Sequence, residues 1–496
     1  MNDPLAPSGG PPGPDRPVPP APWPTRGAAG DGGQVAQPER RTAGLADFTL
    51  REAHVLDRRG RFGAPVDVAV RAGVIQAIGP GLALDRSAVD VDARGLWLMP
   101  GVVDCHAHVT QSTYDPLELM TTPLSGRYLA SAGALRAAVH AGVTGLRDAG
   151  GADAGLRDAL FAGVVPGPRL TVCVVPLSRT GRHGDGALLG PGLESAQEVL
   201  GPEYPGRPAH TVTAAGDLPT AVRGVLRAGA DWVLIHASGG VLSAPPVRGG
   251  SAPDLPFTRA QLTEAVAEAA RYRRPVMMHA LGDRAVETAA AAGARSIEHG
   301  IGLGERAGAA MAARGVTLVP TLSAYLDLAA LAGTGVLPGW AVERAEATAA
   351  ALAETIAVAR AAGVSIALGS DARHHSRHGG NLAEITHLRR AGLTPPEALL
   401  AATANGARLC GVGDRLGRIE TGYVLDAILL DEDPADLELF TRPDAVRGVF
   451  VGGRAVLAHP RLPAELVPPG SPVWSAAPAA GARTPAAGQT SHRTSP

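Results

Sequence analysis

Over residues 101–413 the chain repeats one unit: a short apolar run that reads as a strand, then an alanine-rich stretch with helical spacing. PVMMHA, SIEHG, TLVPTL and VSIALGSD are four of the apolar runs. Thr258-Arg259-Ala260-Gln261 reads as a capping box, opening a helix with Leu262, Val266 and Ala269 on one face and a basic end at Arg273-Arg274. Thr394-Pro395-Pro396-Glu397 opens a later helix with a second capping box and an early proline. Strand–helix units repeated over this length predict an α/β fold, a (β/α)₈ TIM-type barrel rather than an open doubly wound sheet. Neither GxGxxG nor GxxxxGK followed by Ser or Thr stands between a strand and a helix, which argues against a nucleotide site.

Shorter, β-like stretches flank this middle. Val66, Val68 and Val70 alternate up to a turn at Ala72-Gly73, and Val74, Ile75 and Ile78 resume the pattern. DAILLDEDP and AVRGVFVGGRAVL repeat the character late in the chain. The expectation is a small β-sandwich domain assembled from residues 45–100 and 414–467. Residues 1–44 and 468–496 are dominated by Pro, Gly and Ala and are expected to be disordered, because they can bury too little surface to offset the entropy of ordering.

A formal net charge of −2 and an aromatic content of 3% exclude the usual nucleic-acid and anionic-membrane surfaces. No apolar run approaches the ~18 residues of a membrane span. The start of the chain lacks the basic and apolar regions of a secretory signal, and three unpaired-looking cysteines suit a reducing cytoplasm. The expected partner is a small-molecule substrate, and a homo-oligomer is compatible with this composition. All 45 basic residues are arginine.

In such a barrel the chemistry gathers at the C-terminal strand ends. There the sequence places His106 and His108, His236, His279, His299 and Asp371. Period-two spacing turns both imidazoles of DCHAHV to one side, and the same alternation turns Cys105 away, toward the surrounding helices. Taken singly, HxH, a core histidine or a turn aspartate each has an ordinary structural reading. Together on separate strand ends they suit one borderline divalent ion such as zinc, with room for water.

PGVVDCHAHV, VMMHALG, SIEHG and ALGSDA, in that order, resemble the amidohydrolase superfamily of metal-dependent hydrolases. GVTGLRDAGG, TGRHGDG, ASGGVLS and HGGNLAEITHLRRAGLTPPEALLAATANGARLCG resemble its imidazolonepropionase-like and Xaa-Pro-dipeptidase-like branch, over residues 47–458. The resemblance implies hydrolysis of a carbon–nitrogen bond by metal-activated water. It implies His106, His108, His279 and Asp371 as metal ligands, Asp371 also as proton carrier, and His299 beside the metal. It sets His183 toward substrate; Arg147 and Asp148 match a family pattern too, but read as a structural ion pair.

Two-metal relatives usually carry a carboxylated lysine on the fourth strand, where this chain has Leu234. Leucine binds no metal, and the chain offers no lysine elsewhere. The expectation is therefore one ion, since two cations without a bridging anion repel strongly in a low-dielectric site. His236, two residues on and on the same strand face, is assigned to the substrate pocket. HALGDR lacks the glutamate of ring deaminases, and His374 and His375 beside His378 read as a solvated loop. The rival expectation is a catalytically silent or repurposed barrel that lost its chemistry with the lysine.

Overall fold

The computed structural model describes residues 46–83, 88–111, 113, 118, 121–185, 203–214, 216–243, 255–335, 337, 339–468 and 471–472. The N-terminal tail, nearly all of the C-terminal tail and most of the loop at residues 245–256 lie outside the described residues.

Five strands come first: β1 (Phe48–Val55), β2 (Val66–Arg71), β3 (Val74–Gly79), β4 (Val89–Asp92) and β5 (Trp97–Pro100). The middle carries β6 (Val102–Ala107), β7 (Val143–Asp148), β8 (Arg169–Val172), β9 (Ser178–Arg179), β10 (Thr211–Val212), β11 (Val233–His236), β12 (Val276–Ala280), β13 (Ser296–His299) and β14 (Thr317–Val319). The last three are β15 (Ala427–Leu430), β16 (Gly448–Val451) and β17 (Arg454–Leu457).

The two chain ends share one eight-stranded sheet, ordered β17-β16-β15-β5-β1-β2-β3, with β4 on β1. The join is antiparallel, with Ile428 opposite Met99 and Leu429 opposite Leu98. β1 changes partner along its length: Phe48 to Arg51 pair with β4, and His54 and Val55 with β5. Glu52, between them, takes a left-handed φ of 55°. Phe48, Leu50, Val68, Leu98, Leu429 and Phe450 fill this sheet's core.

In the middle, β6-β7-β8 and β11-β12-β13-β14 are parallel sheets, as strand–helix alternation requires. Single parallel bridges connect them, Leu177 to Ile235, Leu318 to Ile366 and Ala107 to Ala372. The run ending at Asp371 thus joins β14 on one side and β6 on the other, although it forms no extended strand of its own. Ser370 and the left-handed Asp371 (φ 50°) interrupt the ladder there. The result is a TIM-barrel-like α/β arrangement. Both capping boxes form, at Thr258 with Gln261 and at Thr394 with Glu397. Alanines such as Ala285, Ala289 and Ala290 let the helix Asp283–Ala292 lie close against the strands.

The ring's interior is filled by Val103, Cys105, Trp232, Leu234, Met277, Val319 and Ala367. Cys105 belongs to this cluster, and its Sγ also faces Gly406 and Cys410 at the helix Gly406–Leu409, so the expectation of packing against helices holds in part. The pairing of β6 with β7 shifts register between Asp104 and Ala107, so the simple count of faces fails at that point. Among the described residues no helix is long and apolar enough to cross a membrane.

Candidate metal centre

Backbone pairing at the end of β6 builds the site. The Asp371 N–H donates to the His106 carbonyl at 2.7 Å, and the His108 N–H donates to the Ala372 carbonyl at 2.9 Å. This stitching sets Asp371 beside both histidines, with Oδ1 3.6 Å from His106 Nε2 and 3.3 Å from His108 Nε2. One ligand atom from each of the three lies within 4.8 Å of the other two. Left-handed φ angles at His299 (69°), Thr321 (53°) and Asp371 (50°) mark three neighbouring strand ends. Such conformations cost about 1–3 kcal/mol each and concentrate at functional sites.

Hydrogen bonds fix which nitrogen each histidine presents. His106 Nδ1 lies 2.7 Å from Glu298 Oε2, and His108 Nδ1 lies 2.9 Å from the Gly150 carbonyl. Both acceptors call for a proton on Nδ1, which leaves each Nε2 lone pair facing Asp371, the orientation metal-binding histidines require. Burial alone would raise the Asp371 carboxyl, but Arg373, His106 and His108 outweigh it and hold it well below the ordinary carboxylate range. Arg373 grips it with a two-pronged contact, Nε to Oδ1 and Nη2 to Oδ2, both 3.0 Å.

Beneath His106 lies a fully buried ion pair. Arg147 Nη2 donates to Glu298 at 2.9 and 3.1 Å, its Nη1 to Ser296 Oγ at 3.1 Å and its Nε to the Cys105 carbonyl at 2.5 Å. Its guanidinium also stacks 4.4 Å from the centre of the Trp232 ring. Arg147 is thus in a structural ion pair, but with Glu298 and not with its neighbour Asp148. Asp148 instead accepts the backbone N–H groups of Val109, Gly150 and Ala152, shaping the loop that carries the Gly150 carbonyl. Adjacent side chains on a strand face opposite ways, which is why the sequence neighbours do not pair.

Asp104 anchors the other side. It accepts Ser370 Oγ at 2.6 Å, Ser370 N at 3.0 Å, Asn381 Nδ2 at 2.8 Å and His106 N at 3.2 Å. Asp104→Ala would strand these donors and loosen the turn that aims Asp371. We expect it to weaken metal affinity about 10–100-fold in a chelator competition. An unchanged affinity would mean the turn holds without Asp104.

Four more histidines continue the row. The His299 ring lies 5.1 Å from His106 and 4.7 Å from His279, with Nδ1 2.6 Å from Thr321 Oγ1. His279 in turn lies 4.6 Å from His183 and 5.2 Å from His236. His279, expected as a ligand, does not join the three-residue group; its Nε2 turns 3.1 Å toward the Gly239 carbonyl. His183 bonds Ser243 Oγ and His236 bonds Ser178 Oγ, each through Nδ1 at 2.8 Å. Burial, with lesser contributions from nearby charges, holds His236 and His299 well below the usual histidine value and His279 at about 4. These rings are therefore neutral near pH 7, the form that ligates or hydrogen-bonds. Leu234 pairs with Met277 in the ladder, one pleat below His236 and His279, and stays in the apolar interior.

Glu298, Arg373, Thr321 and Asp104 escaped the sequence reading. Glu298 carried a usable signal, a carboxylate inside the apolar run SIEHG, which burial obliges to find a partner. His378, beside the His374 and His375 read as a solvated loop, is buried, with Nε2 3.3 Å from the His108 carbonyl.

The chain is similar to an ochratoxinase of Aspergillus niger, at 33% identity over 375 residues, 72% of this chain and 75% of the relative. It is 28% identical to an imidazolonepropionase of Pseudomonas putida over 421 residues, 80% of this chain and 96% of the relative. Among solved structures, a prolidase complexed with N-methylphosphonate-L-proline matches with a TM-score of 0.74 and 30% identity, covering 82% of this chain and 99% of that one. The sequence signature of the amidohydrolase family matches residues 97–456. With that match spanning most of its length, this chain belongs to the amidohydrolase family.

Proposed function

We propose that the protein hydrolyses a carbon–nitrogen bond in an amide, cyclic amide or dipeptide-like substrate, with one divalent ion held by His106, His108 and Asp371. The observation that carries this reading is the convergence of two Nε2 atoms and a depressed carboxylate at one point, above a bonded supporting layer. The donor set fits a borderline ion, zinc best of all. When bound, such an ion supplies Lewis acidity, acidifying a water and polarising a carbonyl.

The chain's own residues do the rest. Asp371 takes the proton of the attacking water and passes it to the leaving nitrogen. His299, held by Thr321, orients that water or the developing oxyanion. His183 and His236 face substrate, and His279 lies between them and His299. The family relatives named as hydrolases support the reaction class. In this reading the middle of the chain, residues 101–413, is a (β/α)₈ barrel, and residues 45–100 and 414–467 form the β-sandwich.

Leu234 makes the stoichiometry a sharp test. Protein purified with its metal is expected to hold about one equivalent by elemental analysis, because Leu234 stands where a carboxylated lysine would bridge two cations. Two tightly held equivalents would overturn the single-ion reading. Absence of turnover across N-acyl amino acids, dipeptides and lactams, with metal present, would favour a repurposed barrel.

A further inference from the structure

Thr321 stands in the capping position of the helix Leu322–Ala330, yet its side chain caps nothing. A threonine there ordinarily accepts a backbone N–H from the first turn of its own helix. Here the hydroxyl is engaged elsewhere, with Oγ1 2.6 Å from His299 Nδ1. Thr321 also holds a left-handed backbone (φ 53°), which is strained for a β-branched residue. Something other than Thr321 must therefore satisfy the start of this helix and hold that strain in place.

That group is Glu384, fully buried on the helix Ala383–Arg390. Its Oε1 accepts the Leu322 N–H at 2.8 Å, and its Oε2 accepts the Ser323 N–H at 2.7 Å and the Ser323 hydroxyl at 2.6 Å. The first two N–H groups of one helix thus find their acceptor on another, and an acid there also meets the positive helix pole. His387, on the same helix as Glu384, adds a contact of 3.0 Å from Nδ1 to Ser323 Oγ. Pinning Leu322 and Ser323 fixes the backbone immediately after Thr321 and leaves the Thr321 hydroxyl to His299.

We infer that Glu384 is a positioning residue for the reaction: by capping the helix Leu322–Ala330 in place of Thr321, it leaves the Thr321 hydroxyl to orient His299. Without Glu384 the Leu322 and Ser323 N–H groups lose their acceptor. The replacement closest in the chain is the Thr321 hydroxyl itself, and turning back to cap would also relieve its left-handed backbone, since capping residues are ordinarily extended. His299 would then lose the partner on its Nδ1. This inference rests on the part given to His299 in the proposed hydrolysis, so its test includes a readout that needs no turnover.

The test compares Glu384→Ala, Thr321→Val and the double variant in metal-loaded, full-length protein, isotope-labelled at the histidine ring nitrogens. The His299 resonances are assigned as those lost in His299→Gln. Both single variants are expected to shift these resonances, while metal content matches the wild type, because Glu298, Gly150 and Arg373 still hold His106, His108 and Asp371. With a substrate in hand, Glu384→Ala should lower kcat about 10–100-fold with little change in KM. Adding it to Thr321→Val should lower kcat little further, since both act on one contact. A cap that serves stability alone would lower the melting temperature and leave the His299 resonances in place, which would overturn the inference. Multiplication of the two kcat losses in the double variant would overturn it too. So would loss of metal in Glu384→Ala, which would route the effect through Asn381 and Asp104 instead. If Glu384→Ala does not fold, Glu384→Gln, which keeps one acceptor oxygen, is read the same way, and unmoved His299 resonances in it count equally against the inference. Failure of all hydrolysis assays would sink the reaction assigned to the centre and leave the ring-nitrogen result standing, so the two readings fail separately.

Discussion

Asp371→Asn is expected to lower kcat by about 10²–10⁴-fold, the usual worth of a positioned general base, while metal remains bound. Asparagine keeps the shape and a carbonyl oxygen that can still face His106 and His108, but it cannot take a proton. The decisive measurement pairs turnover with metal content of the same sample. Full metal with unchanged turnover would rule out the base role; loss of metal would shift the assignment toward ligation alone. A pH profile adds a second readout. Because Asp371 is held well below the ordinary carboxylate range, the base stays ionised as pH falls, and the acidic limb of kcat/KM should lie below the ordinary aspartate value of about 4. Arg373→Leu removes the charge that offsets burial, so it should move that limb toward higher pH.

What could be read in the chain follows from the range over which each rule acts. Capping boxes act within four residues, and both formed where the sequence put them. Period-two spacing brought His106 and His108 to one place, and the strand-end rule brought Asp371 to them from the other end of the barrel. The same period turned Cys105 toward helices, and its Sγ does face Gly406 and Cys410. A register shift in β6, a property of the strand pair and not of either strand alone, also sets it among the interior side chains. Arg147 shows the limit more sharply. A buried arginine in an apolar strand must find an acid, but the choice between Asp148, one residue away, and Glu298, 151 residues away, is made by the curvature of the ring. His279 was expected among the ligands on resemblance, yet its ring contacts His299 and His183 while the Gly239 carbonyl takes its Nε2.

The Arg147–Glu298 pair predicts the largest effect on stability. Both side chains are fully buried. Burial alone would lower Arg147 and raise Glu298; their mutual attraction, with His106 added for Glu298, reverses both tendencies. Arg147→Met leaves a buried carboxylate whose remaining partners are His106 and Ser296, and should cost about 3–5 kcal/mol in denaturant unfolding near pH 7. In the wild type Glu298 is depressed, so its contribution is present above the unfolded value of about 4.3 and is lost as pH falls below it. In Arg147→Met burial is no longer opposed by the guanidinium. Glu298 then rises above its unfolded value, and the penalty should grow with pH and shrink toward pH 5. Adding Glu298→Gln removes the orphaned charge and should recover most of the stability, since replacing both members of a buried pair is far cheaper than breaking it. Metal affinity should not recover with it, because the carboxylate that turns His106 Nε2 toward Asp371 has gone. Equal stability of single and double variants would refute the charge argument, and full metal affinity in the double variant would refute the role given to Glu298 in orienting His106.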